Sequence, residues 1–218
     1  ADNCTLAGVV LDQETLTAAK AAVLSSFPSF LSSPSLSFDA SAVQVLRPGR
    51  PMAVATNLTG LFAQPSWLAE QVSQLLDGQP LEVLREQERW AFVRLSDAYL
   101  GWAYRPYLTD APPPAATHLV VAPVAALYAA PQFDAALAGR VLGGTAVHVA
   151  AVEDGWAQLG LASGVQGWLP AAGLRSLNAL PQDAQSRRAQ MVADGAAFIG
   201  VPYLWGGCSA LGIDCSGF

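Results

Sequence analysis

Charge is scarce in this chain of 218 residues: only 13% of them are Asp, Glu, Lys or Arg. Seventeen acidic groups against eleven basic ones leave a net charge of −6. That balance excludes a general nucleic-acid binder, which needs clustered cations to neutralise phosphates. The nearest thing to a basic cluster is the pair Arg187-Arg188. Histidine is rarer still, with His118 and His148 alone, and the three cysteines are Cys4, Cys208 and Cys215. An odd cysteine count gives no disulfide framework, and Cys208 and Cys215 without a neighbouring histidine make a poor zinc site. No metal or cofactor is therefore called for. Uninterrupted apolar runs of about 18 residues, the length of a membrane-crossing helix, are also missing. The longest apolar region, "HLVVAPVAALYAAP", is broken by Pro123 and Pro131. The chain begins at Ala1 without a charged n-region or an apolar h-region, which reads as a signal peptide already removed or as a numbering chosen for expression.

Apolar residues make up 52% of the chain, the composition of a globular protein. The length suits one large domain or two to three small ones. A tandem duplication organises the middle. An offset of 66 residues lays Val54–Leu108 on Val120–Leu174 without gaps, bringing Gly78 onto Gly144, Trp90 onto Trp156 and Gly101-Trp102 onto Gly167-Trp168. Each copy reads as short strands separated by turns. In "PLEVLREQERWAFVRL" the apolar residues Leu81, Val83, Trp90 and Phe92 alternate with polar ones around a turn at "REQER". Its counterpart "AVHVAAVEDGWAQLGL" turns at "EDG". About 55 to 60 residues of short strands with one buried Trp predict a small closed barrel, free of the edge problem of an open sheet.

The flanking segments set the boundaries. Residues 1–50 hold a predicted helix in "DQETLTAAKAAVLSSF", with Asp12 as its N-cap, followed by a Ser/Pro loop, "PSFLSSPSLSFDAS". Cys4 falls in a terminus expected to fray. The first barrel is assigned to 51–109, the Pro-rich spacer to 110–117 and the second barrel to 118–176. Residues 183–218 form the closing segment. Here "PQDAQSRRAQMVADGAAFIG" places Ala189, Val192, Ala196 and Ile199 on one helix face, and Gly200 and Pro202 end the helix.

After that helix comes "VPYLWGGCSALGIDCSGF". The Asp214-Cys215-Ser216-Gly217 run would open a second helix. A cysteine there has a reason to be reactive, because unpaired backbone N–H groups and the helix dipole favour its thiolate. The same N–H groups could steady an oxyanion, and Gly217 would leave room for a substrate.

This motif resembles the start of the catalytic domain of the NlpC-type cell-wall cysteine peptidases, whose pattern is G-x-P-Y-x-W-G-G, a short spacer, then G-x-D-C-S-G-[FL]. Both repeats look like bacterial SH3-like domains, the small barrels attached to cell-wall enzymes. Together they look most like the dipeptidyl-peptidase VI branch, which are γ-D-glutamyl-L-diamino acid endopeptidases acting on stem peptides with a free N-terminal L-Ala. The implied fold is mainly β: two tandem SH3-like barrels behind an N-terminal helical segment, followed by the beginning of a papain-like α+β domain. The resemblance makes Cys215 the nucleophile, with Asp214, Ser216 and Tyr203 at the substrate cleft. It gives Glu70 and Tyr99 the capture of the substrate's free amine. It also compares "EQVSQLLDGQ", Glu70 to Gln79, with a helix-turn insertion. Cys208 reads as a packing residue.

The resemblance breaks off where such an enzyme needs its histidine. The family carries that residue downstream of the cysteine, whereas His118 and His148 lie in the second barrel, and the sequence reads as cut after Phe218. A helix and an extended tail resting on the barrels are expected for the closing segment, and the chain alone is expected to be inert. The implied partners are peptidoglycan stem peptides, with no nucleic acid, no membrane span and a monomeric state. The implied location is secreted or in the cell envelope, or alternatively cytoplasmic in muropeptide recycling. The rival reading is a non-catalytic wall-binding module of two SH3-like barrels.

Overall fold

A computed structural model of the chain describes residues 3–26, 37–111 and 113–218. Two units emerge, Ala1–Arg50 and Pro51–Phe218. In the first, β1 (Asn3–Val10) and β2 (Ser37–Val45) pair in parallel, with α1 (Gln13–Ser26) between them in the chain. Asp12 caps α1 as its sequence suggests, its Oδ1 accepting from the Thr15 N–H at 2.8 Å. The strands correct two expectations. Cys4 lies in β1, in register with Phe38, and not in a frayed end; residues 37–45, partly assigned to the Ser/Pro loop, form β2. Phe27, the last residue of the predicted helix, and the rest of that loop, 28–36, lie outside the described residues.

The second unit opens with seven strands: β3 (Arg50–Val54), β4 (Leu58–Phe62), β5 (Gln71–Leu76), β6 (Pro80–Gln87), β7 (Trp90–Leu95), β8 (Leu100–Tyr104) and β9 (Leu108–Thr109). Seven more follow: β10 (His118–Val120), β11 (Val124–Tyr128), β12 (Leu137–Leu142), β13 (Ala146–Glu153), β14 (Trp156–Gly160), β15 (Gln166–Pro170) and β16 (Leu174–Ser176). The two sheets share one order, β5-β4-β8-β7-β6-β3-β9 and β12-β11-β15-β14-β13-β10-β16. Even the irregularities repeat: the bulge between Val83 and Arg85 returns between Val149 and Ala151. The duplication read from the sequence is therefore a duplication of strand order, register and bulges.

Each barrel has an aliphatic interior. In the first, Val54, Leu61, Leu75, Ala91, Val93 and Ala103 are fully buried. Each large apolar side chain so buried contributes roughly 1.5–3 kcal/mol against conformational entropy. The outer face of β4, β7 and β8 carries a separate aromatic layer, in which Phe62, Trp90 and Trp102 are buried. This separates residues that the sequence had joined. Leu81 and Val83 face the interior, whereas Trp90 and Phe92 belong to the outer layer. The bulge in β6 changes the phase of the alternation, and the turn occupies only the last two residues of "REQER", Glu88-Arg89. The outer layer recurs in the second barrel. Phe62, Trp67 and Trp90 meet at interplanar angles of 81°, 86° and 59°; Tyr128, Phe133 and Trp156 meet at 86°, 90° and 58°.

The barrels are joined by Asp77, which is 3% exposed. Its carboxylate accepts from the N–H groups of Ala162 at 2.7 Å and Ser163 at 3.2 Å, both in the second barrel. The strand "EQVSQLLDGQ" contains β5 and the turn at Asp77-Gly78, with Gly78 at φ 75°. It is extended, not the helix-turn insertion expected for it, and β12 is its equivalent in the second copy.

The closing segment begins with α2 (Ala184–Ala196), capped by Asp183 through the Ser186 N–H at 2.8 Å. Its predicted apolar face is not its packing face: Val192 and Ile199 are 75% and 85% exposed. Orientation is set instead by Asp194, which accepts both Arg175 guanidinium nitrogens at 2.6 and 2.8 Å. The chain then makes a two-strand ribbon, β17 (Cys208–Ser209) with β18 (Gly212–Ile213), and ends in a helical turn. Among the described residues no helix is long and apolar enough to cross a membrane.

Candidate active site

Strand β5 is an edge of its sheet, so the first barrel does not close on itself as the sequence had suggested. Segment 205–209 covers this edge. The Trp205 indole N–H donates to Glu70 Oε1 at 2.9 Å, and Gln71 Nε2 donates to the Trp205 carbonyl at 3.0 Å. Gly206 sits in the left-handed region at φ 67°, and a Cβ there would lie 2.8 Å from the Gln71 carbonyl oxygen. Only glycine permits this approach of backbone to backbone. Gln74 completes the attachment: its Oε1 accepts from the Cys208 N–H at 3.0 Å and from Ser209 Oγ at 3.1 Å.

From this anchored segment the chain reaches the Asp-Cys-Ser turn. Asp214 is 8% exposed and holds the turn together. Its Oδ1 accepts from Ser216 N, Ser216 Oγ and Gly217 N at 2.8–2.9 Å, and its Oδ2 accepts from Gly206 N at 2.8 Å. These donors, the Gly217 and Ser216 ones foremost, pull its carboxyl down to about 2. Asp214 is thus an anion locked by four donors, a cap and not a free base. Gly217 likewise serves packing, because a Cβ there would collide with the Gly207 carbonyl. The Ser216 and Gly217 N–H groups are committed to Asp214. Among the described residues the Cys215 N–H has no acceptor.

Cys215 is exposed, between the cleft residues Asp214 and Ser216. Cys208 is half-buried, and burial pushes its thiol upward, with Asp214 adding to the shift. The cleft has a volume of about 430 Å³ and runs between β5, the loop of Asp97 and Tyr99, Gly144 and Ala146 of the second barrel, and the closing segment. Its wall bears three aspartates, Asp77, Asp97 and Asp214, and no Lys, Arg or His. Tyr99 is held at the cleft by its own N–H, which donates to Asp97 Oδ1 at 3.1 Å. Burial is the main force on Asp77 and raises its carboxyl above the ordinary range, against the pull of the Ser163 and Ala162 donors.

Of the six residues singled out from the sequence, Tyr99, Asp214 and Ser216 line this cleft; Cys215, exposed between the last two in the chain, does not line it, whereas Cys208 does. Glu70 and Tyr203 do not line it. Glu70 holds Trp205, and Tyr203, 69% exposed, bridges to Ile213. Both histidines are engaged in the second barrel, His118 beside Thr117 Oγ1 and His148 on the Ala115 carbonyl, each at 2.9 Å. Sequence reading missed Gln74, Asp77 and Asp97. The one available signal was Asp77-Gly78, a turn dipeptide whose counterpart, Gly143-Gly144, lacks the carboxylate. No group of residues suited to a metal ion occurs among the described residues.

Comparison with known proteins agrees with the two-barrel fold. Residues 61–103 match the family described as "Bacterial dipeptidyl-peptidase Sh3 domain", and residues 121–175 match "Bacterial SH3 domain". The chain is similar to Dipeptidyl-peptidase 6 of Lysinibacillus sphaericus, with 27% identity over 176 residues, 75% of this chain and 65% of that protein. It is also similar to Gamma-D-glutamyl-L-lysine dipeptidyl-peptidase of Bacillus subtilis (strain 168), with 29% identity over 157 residues, 67% of this chain and 50% of that protein. The matched regions thus span 65% and 50% of these relatives' lengths. Among solved structures, an NlpC/P60 family protein from Bacillus cereus ATCC 10987 superposes with a TM-score of 0.63 at 22% identity, over 77% of this chain and 69% of that one. The chain is a mainly β protein carrying two bacterial SH3 domains, and its relatives are peptidases.

Proposed function

We propose that this chain is the barrel-bearing part of a cysteine peptidase that cleaves the γ-D-glutamyl bond to a diamino acid in peptidoglycan stem peptides with a free N-terminal L-Ala. The observation that carries this reading is the cleft lined by Asp214 and Ser216, the residues that flank Cys215, with three carboxylates, a phenol and no cation on its wall. A site of that sign suits an ammonium group and repels an anion. Tyr99 supplies a phenol at its rim and Asp97 an exposed carboxylate beside it, whereas Asp77 is buried with both oxygens on second-barrel N–H groups. The name of the similar Bacillus subtilis protein, Gamma-D-glutamyl-L-lysine dipeptidyl-peptidase, points to the same substrate class.

In the reaction the Cys215 thiolate bonds to the γ-carbonyl carbon. The Cys215 N–H steadies the oxyanion, and the C–N bond breaks as the amine of the diamino acid leaves with a proton. Water then cleaves the thioester. Asp214 holds Cys215 in position throughout. A histidine must take the thiol proton. Neither His118 nor His148 lines the cleft, so on this reading the base comes from outside these 218 residues and the chain alone is inert.

The test uses the protein at its native length with L-Ala-γ-D-Glu-L-Lys, measuring released lysine. Turnover that disappears in Cys215→Ser and falls at least tenfold in kcat/KM for the N-acetylated peptide is expected. Tyr99→Phe should raise KM for the free-amine peptide alone. Undiminished turnover by Cys215→Ser would refute the mechanism, and equal use of both peptides would refute the amine capture. A protein that binds wall fragments without cleaving any would favour the binding-module reading.

A further inference from the structure

Gln74 has a role that the motif does not contain. It is 7% exposed, sits in β5 and lines the cleft. Its amide orientation is fixed by chemistry, because the atom facing the Cys208 N–H must be an acceptor. Oε1 therefore points into the closing segment, where Ser209 Oγ is its second donor. The other end of the amide, Nε2, has no acceptor among the described residues, and it is not a sealed atom either. A residue that lines the cleft and is more than nine-tenths buried thus keeps two side-chain N–H donors without a protein acceptor. Such donors cost free energy unless water or a ligand accepts them.

We infer that Gln74 is a substrate-binding residue whose Nε2 donates to a peptide carbonyl oxygen of the ligand, while its Oε1 ties the position of that ligand to the segment bearing Cys215. This rests on the peptidase reading above. A carbonyl is favoured over a carboxylate as the acceptor, because Asp77, Asp97 and Asp214 already make the cleft anionic. One side chain thereby couples the first barrel, the ligand and the Asp-Cys-Ser turn, which neither a barrel nor a tail provides alone.

The probe is L-alanyl-D-isoglutaminyl-L-lysinamide, which retains the ammonium groups and the peptide carbonyls but carries no carboxylate. Gln74→Glu keeps an acceptor for Cys208 and Ser209 and removes both N–H donors. Its added negative charge attracts the probe's ammonium groups, so weaker binding can arise only from the lost donors. The expected result is a folded protein with a Kd raised roughly 3- to 10-fold, the worth of a neutral hydrogen bond. Unchanged or tighter binding by Gln74→Glu would overturn the role of Gln74 and leave the peptidase reading intact. Absence of probe binding by the unmutated protein would overturn both. Should Gln74→Glu fail to fold, the side-chain NH2 resonances of Gln74 decide the matter in the unmutated protein: they should shift on saturation with the probe, and unmoved resonances would refute the contact.

Discussion

Truncation of Asp77 to alanine tests whether the two barrels form one cleft. The carboxylate accepts two backbone N–H groups from the opposite barrel, and no other side chain replaces it in the same place. Hydrogen bonds to a charged acceptor contribute roughly 1.5–3 kcal/mol each. Burial of the ion, visible in its raised pKa, offsets a part of this, so Asp77→Ala should cost about 2 kcal/mol. For a cooperative unit of this size that corresponds to a fall in Tm of roughly 4–8 °C. The assay is a calorimetric melt combined with hydrogen exchange at Ala162 and Ser163, whose amides should lose protection. Asp77→Asn should cost less, since one acceptor oxygen remains. A Tm within 1 °C of the parent, with both amides still protected, would refute the claim that Asp77 locks the barrels.

Two other perturbations act on the Cys215 turn. Asp214 titrates at about 2 in the folded chain, below the ordinary carboxylate value, so its stabilising contribution is complete above roughly pH 4 and is lost as pH falls towards 2. The amide resonances of Gly206, Ser216 and Gly217 should therefore report a transition in that window, absent from Asp214→Ala; a pH-independent turn would contradict the assignment. Gly206→Ala forces a Cβ against the Gln71 carbonyl at positive φ, so segment 205–209 should detach from β5 and expose Cys208 to alkylation. A crystal structure of that variant with Trp205 still on Glu70 would show the close approach to be dispensable.

Much of this architecture was legible in the sequence. The repeated Gly and Trp positions specified the duplication because each fills a structural place twice, the turn glycine at Gly78 and Gly144 and the outer-layer indole at Trp90 and Trp156. The faces of β6 and β7 were not legible, since a bulge shifts a period of two without leaving a mark in composition. Helix α2 was predicted, but not its packing, because Arg175 and Asp194 orient it from opposite sides of a linker. The motif pointed to Cys215 and Asp214 but not to Gln74 or Asp77, whose roles arise only when distant segments meet on β5. Glu70 was legible only in part: the resemblance assigns this exposed carboxylate to the ligand, and the fold adds that its Oε1 accepts from the Trp205 indole.

The most direct measurement of the central claim is covalent capture. A chloromethyl ketone of L-Ala-γ-D-Glu would be incubated with the protein, and the alkylated residue located by peptide mass mapping. Label on Cys215, reduced by N-acetylation of the reagent and absent from Cys208, is the predicted result, since the first thiol is exposed and the second is half-buried in the cleft wall with a raised pKa. Label on Cys208, or labelling indifferent to the free amine, would contradict the account.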